Sequence, residues 1–146
     1  MSQINLDYNV PVWKINGLEF EFDTEDPTTW VRYENAYKAF QDKVKHRPKD
    51  GGRSGLLKFE MKIIKELFND VFGHNAGTQI FKGQPNNRRY YYAVHNDFVK
   101  FVDRCREESD DAVIKLADTA NELIRMQVND VDEILYHGKR AELNAL

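Results

Sequence analysis

Cys105 and His95 are the pair of side chains whose chemistry would make an activated nucleophile, a thiol beside an imidazole base. They stand ten residues apart in a stretch that reads as one straight helix, a separation of about 15 Å. That distance rules out a dyad on this helix, and Cys105 reads instead as a small buried hydrophobe. The four histidines, His46, His74, His95 and His137, form no HExxH pattern and have no CxxC partner, so no metal ligand set is expected. Glu107-Glu108 and Asp110-Asp111 resemble acid–base or cation-binding groups. They fall at an expected helix junction, where carboxylates cap backbone N–H groups and favour the helix dipole. The glycine-rich KDGGRSG lacks the GxxxxGK[ST] order that cradles phosphate. The chain therefore reads as a binding protein, with no catalytic residue, no metal and no cofactor expected.

Two segments carry binding features. Residues 66–87, ELFNDVFGHNAGTQIFKGQPNN, hold the apolar pair Ile80-Phe81 in a glycine-studded loop, and loops usually spare apolar side chains from water. The pair therefore docks either on the chain's own core or on a partner. Arg88-Arg89-Tyr90-Tyr91-Tyr92 interleaves positive charge with rings, a composition that neutralises phosphates and stacks bases. Arg88, Arg89, Tyr90 and Tyr92 are thus the alternative, nucleic-acid contact set. The sequence pI of about 5.8 argues against that reading, and helical spacing already claims Tyr91 for a core.

The elements that position these residues follow from periodicity. Val10 to Phe22, VPVWKINGLEFEF, alternates apolar and polar residues around Asn16-Gly17, a dipeptide suited to the positive φ angles of a tight hairpin. Trp13 and Ile15 then share a face with Leu18, Phe20 and Phe22, forming an apolar plate that must lie on helices, further strands or another copy. Asp26-Pro27 starts a helix whose Trp30, Tyr33, Tyr37, Phe40 and Val44 recur at three and four. His46 to Gly55 reads as a basic loop. Leu56 to Phe72 is a second helix ended by Gly73, and Thr78 to Phe81 a short helical turn. Asn86 or Asn87 caps a third helix carrying Tyr91, Val94, Phe98, Phe101 and Cys105. Ser109 or Asp110 opens a last helix with Val113, Ala117, Ala120, Ile124, Val128, Val131 and Leu135, ended by Gly138. The fold class is mainly α with a small N-terminal β-hairpin, about four helices around one core: one domain over 1–146, with the hairpin at 10–22, helices at 26–138 and a tail at 139–146.

A length of 146 residues suits one domain, and no apolar run reaches the roughly 18 residues of a membrane span. The opening MSQINLDYNV lacks the basic and apolar parts of a secretory signal, so a cytoplasmic location is expected. A single cysteine forms no internal disulfide, in keeping with a reducing compartment. Net charge is −3 but unevenly spread: residues 43–65 hold eight basic and two acidic residues, and 103–133 hold ten acidic and four basic. Such asymmetry steers partners or arranges copies of one chain.

The order of these parts, WKINGLEFEFDTED, then WVRYENAYKAF, then ELFNDVFGHNAGTQIFKGQPNN leading into YYYAVHNDFVKFV, spans roughly residues 12 to 102. It resembles the tail assembly chaperones of tailed phages infecting Gram-positive hosts, and a related uncharacterised phage family. Similar proteins often carry an acidic residue where this chain has His74-Asn75. The resemblance implies a non-catalytic chaperone in the cytoplasm of the infected cell, holding the tape measure protein and recruiting tail tube subunits, with possible self-association. Phe20, Phe22, Ile80 and Phe81 are the expected partner-binding residues. A small phage inhibitor or adaptor, using the acidic helix from Ser109 to Tyr136 to engage a host protein, is the alternative from another class.

Overall fold

A computed structural model describes the backbone of residues 9–145 and the side chains of residues 9–127. The protein is mainly helical, with a two-stranded antiparallel hairpin at its N-terminal end. In chain order the elements are β1 (Val12–Ile15), β2 (Leu18–Glu21), α1 (Pro27–Lys45), α2 (Gly52–Phe72), α3 (Ala76–Phe81) and α4 (Arg88–Ala145). Where the sequence reading has one domain, residues group into two compact units, the first ending at Arg106 and the second starting at Glu107.

In the first unit the hairpin forms as its pattern requires. Asn16 and Gly17 take φ angles of 50° and 77°, and Trp13 pairs with Phe20 and Ile15 with Leu18 across the strands. Two strands cannot hold themselves together in water, and here they lie on helices. The Trp13 ring stacks on Phe68 and Phe72 with centroids 5.3 and 5.8 Å away, and meets Phe98 edge-on at 5.0 Å. Its indole Nε1–H donates to Asp97 Oδ2 at 2.9 Å, so the one polar atom of this buried ring is satisfied. Phe22 closes the other side against Trp30, Tyr33 and Phe101.

The helix starts obey their caps. Asp26 Oδ1 accepts from the Thr28 N–H at 2.9 Å, and Pro27 occupies the first helical position. Asn87 Oδ1 likewise accepts from the N–H of Arg89 at 2.8 Å. Along α4 the expected stripe of Tyr91, Val94, Phe98, Phe101 and Cys105 is buried, joined by Val102. Of the expected α1 stripe, Trp30, Tyr33, Tyr37 and Phe40 are half-buried and Val44 is exposed, and only Ala36 of that helix is fully enclosed.

Three boundaries differ from the sequence reading. The basic loop is shorter than 46–55, because α2 begins at Gly52; Gly51 supplies a left-handed turn at φ 100°, and its carbonyl accepts from the Gly55 N–H at 3.0 Å. No break occurs at Ser109. Residues 88–137 contain neither glycine nor proline, and serine or aspartate inside a helix costs only about 0.7 kcal/mol or less, so capping residues alone do not stop it. Nor does Gly138 end the helix, which continues to Ala145. The separate tail expected at 139–146 is therefore helical backbone as far as Ala145.

Gly77 shows how tightly α3 is held. A Cβ at this position would collide with the backbone carbonyl of Lys65, and the Gly77 N–H donates to Asn69 Oδ1 at 2.7 Å. Gly77→Ala is expected to destabilise the protein by about 2 kcal/mol or more, since backbone rather than a flexible side chain must yield. Trp13→Ala should cost about 3–5 kcal/mol. Denaturant titration followed by circular dichroism measures both, and no change in midpoint for either would contradict this account.

Candidate interaction surface

The four residues expected to meet a partner occupy other places. Ile80 and Phe81 are the apolar pair of α3, a helix opened by Asn75 at φ 75°. Both are buried: Phe81 stacks on Tyr91 at 3.8 Å between centroids and packs against Phe68. Phe22 is buried too, and Phe20 is half-buried against Trp13 and Phe72. Three of the four are therefore enclosed by the chain's own residues, and Phe20 alone keeps partial exposure. The physical reason is close approach: Gly77 lets α3 sit against the α2 backbone, which drives Ile80 and Phe81 inward.

The Arg88–Tyr92 segment is similarly engaged. Arg88 Nη1 donates to Glu60 Oε2 at 2.8 Å, and the Tyr92 hydroxyl donates to the same oxygen at 2.8 Å. The guanidinium also lies 5.6 Å from the centre of the Tyr92 ring. Partial burial opposes ionisation of Glu60, but hydrogen bonds from Arg88 and Tyr92 outweigh it and hold the carboxyl below its usual range. Tyr90 accepts from Asn16 Nδ2 at 2.8 Å and donates to Gln84 Oε1 at 2.9 Å, while Asn16 also donates to the Ile80 carbonyl at 2.9 Å. Arg89 alone of this set is exposed with no side-chain partner shown. Arg88, Tyr90 and Tyr92 thereby pin α4 to α2 and to the hairpin turn, and a phosphate at Arg88 would compete with Glu60.

Sequence reasoning missed these pins. Asn16 looked sufficient as a turn residue, and nothing in the spacing reveals that its amide spans 74 positions to Tyr90. It also missed the pair formed by Tyr37 and His95, whose hydroxyl and Nε2 lie 2.8 Å apart. Burial, followed by the nearby Tyr33, raises the Tyr37 phenol well above its ordinary value. Burial lowers the pKa of His95. The pair forms a hydrogen bond that ties α1 to α4.

The first unit carries a groove lined by Val31, Arg32, Asn35, Ala39 and Asp70, between α1 and α2. In the second unit the apolar surface is larger. Val113, Ile114, Leu116, Leu123, Ile124 and Met126 are each between 55% and 69% exposed. Val113, Leu116, Ala120, Leu123 and Ile124 fall on one side of the helix at 100° per residue, whereas Ile114 and Met126 lie off that stripe. The acidic side chains Glu107, Asp111, Asp118 and Glu122 take the opposite side. Among the described residues no group of three or more His, Cys, Asp or Glu side chains converges as a metal site, and no helix is long and apolar enough to cross a membrane.

The described residues thus form a hairpin-capped helical core and an exposed amphipathic stretch of α4. Residues 16–126 match a family of unknown function (DUF6673), and the chain belongs to that family. No curated protein and no solved structure matches it.

Because burial depresses the His95 pKa, the folded state takes up a proton there less readily than the unfolded chain. Its stabilising contribution is complete above the ordinary imidazole value of 6.5 and is lost as pH falls through the lower folded value. His95→Gln is expected to flatten the acid side of the melting-temperature profile below about pH 6.5. Calorimetric scans of both proteins across that range provide the check, and parallel profiles would refute it.

Proposed function

We propose that this protein is a non-catalytic tail assembly chaperone, holding the tape measure protein and tail tube subunits in the cytoplasm of the infected host cell. Two things support the reading. The order of hairpin, helix, loop and helix over roughly residues 12 to 102 resembles such chaperones. The observation that carries it is the exposed apolar stripe of α4, running from Val113 to Ile124.

A holding chaperone needs an apolar surface on a stably folded body, so that a long helical client finds cover without the chaperone itself unfolding. The first unit supplies the body, with its core closed by Trp13, Phe22, Phe68 and Phe98. The stripe supplies the surface. A client helix would lay its own apolar positions along Val113, Leu116, Ala120 and Ile124, and the acidic opposite side would keep the complex in solution. Phe20, half-buried at the hairpin, is the one residue of the initial set still in reach of a partner.

Co-expression with the tape measure protein tests this directly. The expected outcome is that the client accumulates in the soluble fraction only when this chain is present, and that Leu123→Lys with Ile124→Lys abolishes the rescue. A client that precipitates equally with and without the unmodified chain would refute the chaperone reading. Co-purification of a host protein instead would favour the inhibitor alternative.

A further inference from the structure

Asn16-Gly17 is the only Asn-Gly dipeptide in the sequence, and such a pair is the one most prone to cyclise, because glycine has no Cβ to shield its nitrogen from the asparagine side chain. Here it forms the tip of the hairpin, with φ 50° at Asn16 and 77° at Gly17. Both residues are exposed, and the position that a Gly17 Cβ would take is open space, so water and base reach the peptide bond between them. Among the described residues no hydrogen bond holds the Gly17 N–H. The attacking nitrogen is thus unengaged.

The carbon it would attack is held. Asn16 Nδ2 directs one hydrogen to the Ile80 carbonyl at 2.9 Å and the other to the Tyr90 hydroxyl at 2.8 Å. That hydroxyl is itself tied to Gln84 Oε1 at 2.9 Å. Both amide hydrogens are therefore engaged by the elements on which the turn docks, α3 and α4. Ring closure needs the amide plane to turn face-on to the Gly17 nitrogen, and turning it breaks both bonds. Opening of the turn must precede the chemistry.

We propose that Asn16 is a self-modification site that the fold keeps shut, and that its conversion to aspartate or isoaspartate releases the hairpin turn from α3 and α4. In the first step the Gly17 nitrogen bonds to Asn16 Cγ and the Cγ–Nδ2 bond breaks. The amide nitrogen leaves as ammonia, with the proton that the Gly17 N–H has lost. Water from the solvent then adds to one of the two carbonyls of the ring. Addition at Cγ gives aspartate, and addition at the backbone carbonyl gives isoaspartate, with the chain rerouted through the former side chain. Neither step is a redox change. Either product exchanges an amide that donates twice for a carboxylate that only accepts, so the Ile80 carbonyl loses its donor and faces a negative charge. No client protein takes part, so this proposal and the chaperone reading fail separately.

Peptide mapping of the full chain after incubation in mildly alkaline buffer, with mass spectrometry of the tryptic peptide that carries Asn16, reads the conversion of amide to acid. Tyr90→Phe keeps the ring and removes one acceptor, and should speed the conversion about fivefold. Tyr92→Phe removes a hydroxyl of the same segment that is bonded to Glu60 instead, and should leave the rate unchanged. Chain unfolded in urea should react at least about tenfold faster than folded chain. Equal rates for folded and unfolded chain overturn the proposal, as does a Tyr90→Phe rate no higher than that of Tyr92→Phe. Asn16→Asp tests the consequence. Amide hydrogen exchange in β1 and β2 should quicken about tenfold while exchange in α2 keeps its parent rate, and unchanged exchange in the strands overturns the release.

Discussion

The docking of Trp13 onto Phe68, Phe72 and Phe98 is the contact on which the first unit depends. It joins a hairpin that has no independent stability to two helices that are themselves far apart in sequence. The ring contributes a large apolar area, and the hydrogen bond from its N–H to Asp97 removes the cost of burying the indole nitrogen. Phe22 extends the same contact toward α1 through Trp30 and Tyr33. Helix α1 is thereby attached mainly through half-buried aromatic rings, with Ala36 its only fully enclosed residue.

Around that aromatic centre, a small set of polar contacts fixes register. Asn16 ties the hairpin turn to the carbonyl of Ile80 and to Tyr90, and Glu60 gathers Arg88 and Tyr92. Each joins elements that apolar contact alone would allow to slide. Their chemistry is directional, so a shift of one helical turn would leave several of these groups without partners. This explains why Arg88, Tyr90 and Tyr92 are structural: their donors are engaged within the chain, whereas Arg89 stays exposed.

Much of this was legible from residue spacing. The hairpin at Asn16-Gly17, the cap at Asp26-Pro27 and the buried stripe from Tyr91 to Cys105 all follow from patterns with a local cause, and the structure has each of them. Direction of burial at Ile80 and Phe81 was not legible, because it depends on Gly77 meeting the Lys65 backbone across the fold. Continuity of α4 past Ser109 was misread for a related reason. Capping residues permit a helix to start but do not compel one to stop, and the decisive fact was the lack of glycine and proline through residue 137. Of the stripe read after Ser109, Val113, Ala117, Ala120 and Ile124 are exposed and Val128, Val131 and Leu135 lie outside the described side chains; spacing cannot distinguish a core face from one left uncovered.

One consequence concerns how this chain can change over evolutionary time. Along α4, a substitution at Phe98 or Val102 disturbs an enclosed site and is judged by whether the protein still folds. At Leu123 or Ile124, where the side chains lie in the open, the fold makes no such demand. A single uninterrupted helix thus carries two kinds of constraint, so substitutions after residue 107 can remake its exposed surface while leaving the aromatic nucleus intact.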